Sequence, residues 1–299
     1  MATTATPPSK LDTLERVLRR LRGAAIAFSG GADSAFLAFV AHRTLGDDMV
    51  AVTADSPSLP RRELAEAAAF AREHGIPHRV VPTSELADPR YAKNAGDRCA
   101  WCKEALMDAL LTRDEFSGPV LLGVNIDDLR DHRPGQARAL HRGARFPLVE
   151  AGLSKGEIRS ISRTFGLSTW NKPAAACLSS RIAYGVPVTE AALARVERAE
   201  EALRGLGFSG NLRVRDHGGD LARIEVDLQE VGALLRRREE VVRALKEAGF
   251  RFVTVDLEGY RSGSQNVLLT LGTAVRASVD SARPPNRQSG SVLSGDQAD

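Results

Sequence analysis

The sequence is poor in cysteine, in aromatic residues and in long apolar runs. Its 299 residues include three cysteines, too few to form a disulfide scaffold for a chain of this length, so we expect reduced thiols that take part in chemistry. No run approaches the roughly 18 apolar residues of a membrane span, and residues 1–10 lack the core of a signal peptide. These absences predict a cytoplasmic protein without a membrane partner.

The sequence also lacks an excess of charge of one sign. Its 41 Lys and Arg residues nearly balance 38 Asp and Glu residues, which leaves a net charge of +3. Proteins that bind nucleic acid through its phosphates usually carry a strongly basic face, so we predict no nucleic-acid partner. With 43% hydrophobic residues the chain can bury a large core, and its length favours two domains.

Apolar runs alternate with helical patterns through the first half of the chain. The predicted helices include Leu11–Leu21 and Arg61–His74, and the predicted strands are Ala24–Phe28, Met49–Thr53, His78–Val81 and Val120–Val124. Repeated βα units form a mostly parallel, doubly wound sheet with helices on both faces. Ligands of such α/β sheets bind beyond the carboxyl ends of the strands.

The turn after the first of these strands is Ser29-Gly30-Gly31-Ala32-Asp33-Ser34. Two glycines let a ligand approach the backbone, the N–H groups of the next helix point into the turn, and two serine hydroxyls add donors, so the turn predicts an anion site. It lacks the lysine and the glycine spacing of a Walker A loop. The alternative is an ordinary glycine turn of a βα unit.

A second polar segment, residues 123–128, follows the strand predicted at 120–124. Carboxylates and an amide at the carboxyl end of a strand can hold magnesium or a nucleotide hydroxyl, which makes Asn125 and Asp127 candidates. The alternative is a solvated acidic turn, because turns commonly collect Asn and Asp. Ser154 and Glu157 then match a capping box, whose helix we interpret as structural.

Residues 170–185 show no clear period and combine Lys172, Cys177 and Arg181 with helix-breaking residues. This composition is typical of a loop at a functional site. The other two cysteines lie upstream in Arg98-Cys99-Ala100-Trp101-Cys102-Lys103, where the basic neighbours should favour thiolates.

The pattern changes after Thr189 to that of a smaller α+β domain, with a capped helix to Leu206, strands over 212–215, 221–227 and 250–257, and a helix over 228–248. Arg213 and Arg215 stand two apart and project from one strand face. Adjacent guanidiniums repel unless an anion or carboxylate separates them, so we interpret both as phosphate ligands. The alternative is a solvated strand face paired to Glu225.

Together these motifs resemble a known family. Ser-Gly-Gly-x-Asp-Ser is similar to the PP-loop of ATP pyrophosphatases, which cleave ATP between its α and β phosphates. The Lys-Pro-Ala-x-Ala-Cys-Leu-x-Ser-Arg segment at 172–181, with Cys99 and Cys102, resembles the LarE family of ATP-dependent sulfur transferases over residues 11–261. The resemblance implies a PP-loop, adenine nucleotide alpha hydrolase-like domain at 1–188 and a small α+β domain for substrate and oligomerisation at 189–280. Residues 281–299 should form a disordered tail.

The resemblance also implies a reaction, in which ATP adenylylates a carboxylate of pyridinium-3,5-dicarboxylate mononucleotide and sulfur then replaces AMP. Activation is needed because oxide is a poor leaving group, and the products are AMP, pyrophosphate and the thiocarboxylate precursor of the nickel-pincer nucleotide of lactate racemase. The residues expected at ATP and Mg²⁺ are Ser29, Gly30, Gly31, Asp33, Ser34, Asn125 and Asp127. Lys172 and Arg181 should neutralise phosphate charge, and Arg213 and Arg215 should bind the phosphate of the substrate.

LarE proteins are of two forms: one sacrifices the sulfur of a single cysteine and leaves dehydroalanine, and the other binds a 4Fe–4S cluster through three cysteines. The three thiols here therefore predict a cluster on Cys99, Cys102 and Cys177 that delivers sulfur. Sacrifice of Cys177 alone is the rival. A tRNA thiolase of the same superfamily ranks next, and a zinc-stabilised module last, because zinc wants four ligands. The predicted partners are a nucleotide substrate and further copies of the chain, with the sulfur donor left open.

Overall fold

A computed structural model describes residues 9–112, 118–130, 134–173, 176–261 and 263–266. Residues 1–261 form one compact unit and residues 262–299 a second, of which the short 3-10 helix Ser264–Asn266 is described. The tail predicted at 281–299 lies outside the described residues, and the boundary predicted near residue 188 stays a prediction. No helix in the described ranges is long and apolar enough to cross a membrane.

The larger unit contains helices on both sides of short strands. The strands are β1 Ala24–Ala27, β2 Met49–Asp55, β3 His78–Pro82, β4 Val120–Leu122, β5 Arg213–Asp216, β6 Leu221–Glu225 and β7 Phe252–Val255. The helices are α1 Lys10–Arg19, α2 Ala32–Leu45, α3 Arg61–Glu73, α4 Pro89–Ala92, α5 Arg98–Leu111, α6 Pro134–His141, α7 Pro147–Glu150, α8 Lys155–Thr164, α9 Glu190–Gly205, α10 Val231–Arg236 and α11 Arg238–Ala248. Single 3-10 turns include Glu85–Ala87, Asp127–Arg130 and Leu178–Arg181.

The first four strands form one parallel sheet in the order β3-β2-β1-β4. The chain runs outward from β1 through β2 to β3 and then returns to the other side of β1, so the strand order reverses between β1 and β4. Ligands of open α/β sheets bind in the crevice at such a switch point. The turn at residues 29–34 follows β1 and lies there, as the sequence predicted for an α/β fold.

Alternating side chains of β1 face two different apolar cores, which is why its apolar run is unbroken. Ala24 and Ile26 pack with α1, α2, α3 and α8, whereas Ala25 packs with α5 and α6. β4 ends at Leu122, two residues earlier than predicted, because the Val124 N–H turns back to the carbonyl of Leu122 at 2.9 Å.

The last three strands form a second sheet in the order β5-β6-β7, antiparallel between β5 and β6 and parallel between β6 and β7. Helices α9 and α11 share its apolar core, which also takes in Tyr91, Leu178 and Ile182 from segments that precede α9. The predicted helix over 228–248 is two helices, because the backbone at Arg237 leaves helical angles with φ −101° and ψ 25°.

Candidate functional site

The turn between β1 and α2 is shaped by the absence of a side chain at Gly30. Its φ is +70°, a conformation that favours glycine, and an added Cβ would lie 2.9 Å from Cβ of Ala67 on α3. Gly31 is the N-cap of α2, and no side chain of the described residues caps the helix there. The N–H groups at this helix start are therefore available to an anion.

The hydroxyls of Ser29 and Ser34 stabilise the turn by hydrogen bonds. Ser34 Oγ donates to the carbonyl of Gly31 at 3.1 Å, so its oxygen is left to accept from the hydroxyl of Ser29 at 3.1 Å and from the Ser29 N–H at 3.3 Å. These hydrogen bonds fix the shape of the loop, and all five predicted PP-loop residues lie together in it.

Asp33, in the first turn of α2, forms an ion pair of 2.5 Å with Nζ of Lys155. Burial raises the pKa of the Asp33 carboxyl above its ordinary value, and the Lys155 ammonium acts in the opposite direction. Oδ1 of Asp33 is buried and has no hydrogen-bond partner within the described part of the chain. A buried carboxylate oxygen without a partner is unfavourable, and the same oxygen is a ligand type that Mg²⁺ prefers.

Lys155 is a residue that the sequence reading missed, since its helix was interpreted as structural. The capping box of α8 is present as predicted, with Ser154 Oγ accepting from the Glu157 N–H. That cap starts the helix at Lys155, and Asp127 Oδ2 accepts from the Lys155 N–H at 2.8 Å. The local signal was a lysine placed directly after an N-cap.

The segment after β4 packs against the same turn. An added Cβ at Gly123 would lie 2.9 Å from the Ser34 nitrogen, so a glycine is needed for β4 to approach α2. Asn125 is buried, and its Oδ1 accepts from the N–H groups of Asp127 and Asp128 at 2.9 and 3.2 Å. Asn125 and Asp127 therefore build the wall beside the PP-loop, and their predicted contact with ATP stays a prediction.

Lys172 and Arg181 are both paired with carboxylates. Nζ of Lys172 lies 2.7 Å from Glu63 and 2.9 Å from Glu66, both on α3. Arg181 is buried, donates to both carboxylate oxygens of Glu200 at 2.9 and 3.2 Å, and also binds the carbonyl of Cys177 at 2.9 Å. As they lie, these cations hold the loop that carries Cys177.

The two arginines of β5 have different surroundings, although both were predicted from the sequence to bind phosphate. Arg215 donates to Oε2 of the buried Glu225 at 2.6 and 3.0 Å and to the Ser180 carbonyl at 2.9 Å. Arg215 thus pairs with Glu225, as in the alternative that the sequence analysis left open, but the pair is buried rather than solvated. Arg213 is also buried, but no carboxylate of the described residues forms an ion pair with it.

Arg213 is held by weaker partners. Its Nη1 donates to the Leu212 carbonyl at 2.7 Å, and its guanidinium lies 5.2 Å from the ring centroid of Tyr260. Burial, followed by the nearby Arg181 guanidinium, lowers the pKa of Arg213 below its ordinary value. A desolvated cation of this kind favours an anionic ligand. Tyr260 was not singled out from the sequence, because the stacking is a tertiary contact.

The three cysteines come from two segments of the chain. Cys99 is exposed and Cys102 half-buried in the first turn and a half of α5, and Cys177 is half-buried at the start of the 3-10 turn 178–181. Burial raises the pKa of Cys102 to about 12, despite the Lys103 ammonium and with the Cys177 thiol nearby. The expectation that basic neighbours favour a thiolate is therefore wrong for Cys102.

No group of three His, Cys, Asp or Glu side chains in the described ranges lies close enough to hold a single metal ion. A cubane cluster spreads its thiolates more widely than a single ion does, so this absence concerns mononuclear sites such as zinc. Thiolates are the ligands that iron–sulfur clusters take. The donor set of three thiols therefore fits the predicted cluster in its chemistry.

Comparison with known proteins decides the family. The chain is 37% identical over 273 residues to a pyridinium-3,5-bisthiocarboxylic acid mononucleotide synthase of Lactiplantibacillus plantarum, a match that covers 90% of this chain and 97% of the relative. The chain belongs to the LarE family. No protein-family model matches it.

Two further relatives of the LarE-family chain carry no described activity. An uncharacterized protein of Synechocystis is 46% identical over 266 residues, which cover 88% of this chain and 98% of the relative. An uncharacterized protein of Methanocaldococcus jannaschii is 26% identical over 239 residues, which cover 79% and 90% of the two chains. The likeness thus runs through both sheets, as the resemblance over residues 11–261 implied.

Proposed function

We propose that this LarE-family protein is a sulfur transferase of cofactor biosynthesis that converts pyridinium-3,5-dicarboxylate mononucleotide to its thiocarboxylate. The named relative makes pyridinium-3,5-bisthiocarboxylic acid mononucleotide, which supports the substrate class. The observation that carries the ATP-dependent chemistry is the hydrogen-bonded turn at residues 29–34. Among the described residues, no side chain caps the helix that follows it and Oδ1 of Asp33 has no hydrogen-bond partner.

In the proposed first step, the PP-loop holds the β and γ phosphates of MgATP and leaves the α phosphorus open to the substrate carboxylate. The helix N–H groups stabilise the charge that develops on departing pyrophosphate, and the Ser29 hydroxyl adds to them when it turns from Ser34 Oγ to the phosphate. Oδ1 of Asp33 would hold the magnesium of MgATP, while Oδ2 keeps Lys155 at the PP-loop, where its ammonium would neutralise phosphate charge. The products are AMP, pyrophosphate and, after sulfur attack, the thiocarboxylate.

Arg213 is the proposed ligand for the phosphate of the substrate. Its guanidinium is buried without a carboxylate among the described residues, so a phosphate would supply the missing charge. For Arg215 a direct phosphate contact stays a prediction, since its donors already bind Glu225 and Ser180. In this arrangement Arg215 supports the turn that follows Cys177.

Cys99, Cys102 and Cys177 are the proposed ligands of a 4Fe–4S cluster. When bound, such a cluster supplies one iron that no protein thiolate occupies and that can carry sulfide for delivery. The chain's own contribution is to keep Cys102 and Cys177 half-buried. Arg181 binds the Cys177 carbonyl, and Lys172 ties the start of the loop to α3.

Product analysis tests the ATP chemistry. Incubation with ATP, Mg²⁺ and the pyridinium dicarboxylate nucleotide should release AMP and pyrophosphate, whereas ADP and phosphate would contradict the proposal. Asp33→Asn should lose this activity and keep its fold, because it preserves the shape of a side chain that contributes little to the core. Asp47→Asn is the matched control, since Asp47 lies in an exposed turn after α2.

Mass spectrometry separates the cluster from its rival. Anaerobically purified protein should contain iron and acid-labile sulfide, and activity should require all three cysteines. Loss of hydrogen sulfide from Cys177 during turnover, with Cys99→Ala and Cys102→Ala variants still active, would instead assign sacrifice of Cys177.

A further inference from the structure

A buried asparagine joins the segment before α5 to the loop that carries Cys177. Asn94 is fully buried and has a φ of +57°, a left-handed conformation that Asn tolerates better than most residues. Its Nδ2 lies 2.9 Å from the carbonyl of Ala183, 2.8 Å from that of Val186 and 3.3 Å from that of Ile182. One amide thus binds a loop that is 88 or more residues away in the sequence.

Arg98 completes this connection from the first residue of α5. It is buried, and its Nη1 donates to Oδ1 of Asn94 and, at 2.9 Å, to the carbonyl of Ser179. Its guanidinium also lies 5.8 Å from the ring centroid of Tyr184. Within the described part of the chain it forms no ion pair with a carboxylate, so carbonyl and amide oxygens compensate its charge.

Arg98 lies close to the cysteines of both segments along the chain. Arg98 precedes Cys99, and the carbonyl that it binds belongs to the second residue after Cys177. The backbone reinforces the same junction, because the Gly185 N–H donates to the Asn94 carbonyl at 3.2 Å and the Val188 N–H to that of Ala92 at 2.8 Å. By contrast, the PP-loop makes none of the contacts just described.

We infer that Asn94 and Arg98 are positioning residues that fix the separation between the Cys99/Cys102 helix and the Cys177 loop. The inference rests on the proposed sulfur transfer, which needs thiols from both segments at one place. Because these residues touch neither the PP-loop nor Asp33, their loss should leave ATP cleavage intact and uncouple it from sulfur delivery. A misplacement of about 1 Å in a reacting group can lower a rate about a hundredfold.

The test uses two variants and a control substitution that should lower Tm to a similar extent. Arg98→Lys keeps the charge but replaces the planar guanidinium, whose Nη1 binds Asn94 and Ser179, with an ammonium on a more flexible stem. Asn94→Asp keeps the shape but turns an oxygen toward three carbonyls. Arg195→Lys is the control, because Arg195 is another poorly exposed arginine and binds Asp216 and Asp220. Each protein is assayed for AMP and for thiocarboxylate formed per AMP, and its Tm is measured.

A second readout needs neither a cluster nor activity. Metal-free protein is treated with bismaleimides of graded length, and peptide mass spectrometry gives the shortest reagent that joins Cys177 to Cys102. We expect both variants to retain AMP formation, to lose thiocarboxylate about a hundredfold and to change the linking length. The Arg195→Lys control should lower Tm and leave the linking length and the ratio of products unchanged.

Three results would overturn the inference. One is a parallel loss of AMP and thiocarboxylate that tracks Tm as in the control, which would assign a merely structural role. Another is an unchanged linking length in both variants, and the third is a wild-type protein in which no reagent joins the two segments. If the wild-type protein formed no AMP at all, the proposed function would fail while the linking lengths still decided the positioning role.

Discussion

Arg213 and Arg215 offer a direct test, because the same substitution should have opposite effects at two positions of one strand. Arg215→Met removes one partner of a buried ion pair with Glu225, which is fully buried. Removing one member of such a pair destabilises by about 3–5 kcal/mol. Since Nη2 of Arg223 stays 2.9 Å from Oε1 of Glu225, we expect the lower end, about 3 kcal/mol.

Arg213→Met removes a desolvated cation that Arg181 repels. The losses are one hydrogen bond to the Leu212 carbonyl, worth about 1 kcal/mol, and the cation–π contact with Tyr260, worth about 1–2 kcal/mol when desolvated. Because relief of repulsion offsets part of these losses, stability should fall by no more than about 2 kcal/mol, less than in Arg215→Met. Affinity for the substrate should fall by about 1.5–3 kcal/mol, a factor of roughly ten to a hundred and fifty, as one charge-assisted phosphate contact is lost.

Urea denaturation gives the free energy of unfolding, and calorimetry gives the affinities for the substrate and for ATP. ATP binding should survive in Arg213→Met, since the residue lies on β5 and not in the PP-loop. Equal destabilisation by the two substitutions, or unchanged substrate affinity in Arg213→Met, would refute the reasoning and return Arg213 to a structural role.

Three further predictions concern Gly30 of the PP-loop, Lys155 and His78. Gly30→Ala should lower the free energy of unfolding by more than the strain of a left-handed residue, which is about 1–2 kcal/mol, because the new Cβ would also meet Ala67. Gly152→Ala is the control: Gly152 has a φ of +67° and nothing within 4 Å of its added Cβ, so this variant should show the strain alone in the same urea titration. Lys155→Met should raise KM for ATP and slow AMP release, which a steady-state assay measures against the exposed Lys246→Met. Burial lowers the pKa of His78 below its ordinary 6.5, so as the pH falls this histidine is protonated in the unfolded chain before it is protonated in the folded one. Stability should therefore fall as the pH drops below 6.5. His78→Gln should weaken that dependence in urea titrations at several pH values.

The sheet and the PP-loop could be predicted because their signals are local. β1 is an unbroken apolar run since both its faces are buried, and the glycines, hydroxyls and following helix of residues 29–34 are contiguous in the sequence. The capping box at Ser154 is likewise contained in four residues. The sequence could not show that this cap delivers Lys155 to Asp33, because that contact spans 122 residues.

The helix over 228–248 shows a second limit of local patterns. Its residues have helical spacing on both sides of Arg237, yet the backbone breaks there and Arg237 donates to the carbonyl of Leu206 and to Glu240. A tertiary acceptor on the neighbouring segment stabilises the break. The summed helical propensity of these residues is nearly the same whether they form one continuous helix or two helices that meet at one residue, so propensity alone could not predict the break.

For this protein, a cation identifies a site only after its partner is known. All four cations, Lys172, Arg181, Arg213 and Arg215, were predicted from the sequence to lie at phosphates, the first two to neutralise phosphate charge and the last two to bind the phosphate of the substrate. In the fold, three of them pair with carboxylates within 3.2 Å and thereby fix the Cys177 loop and β5. Arg213 differs in lacking such a pair among the described residues, and a buried guanidinium in that state is stabilised most by an anion that arrives with the substrate.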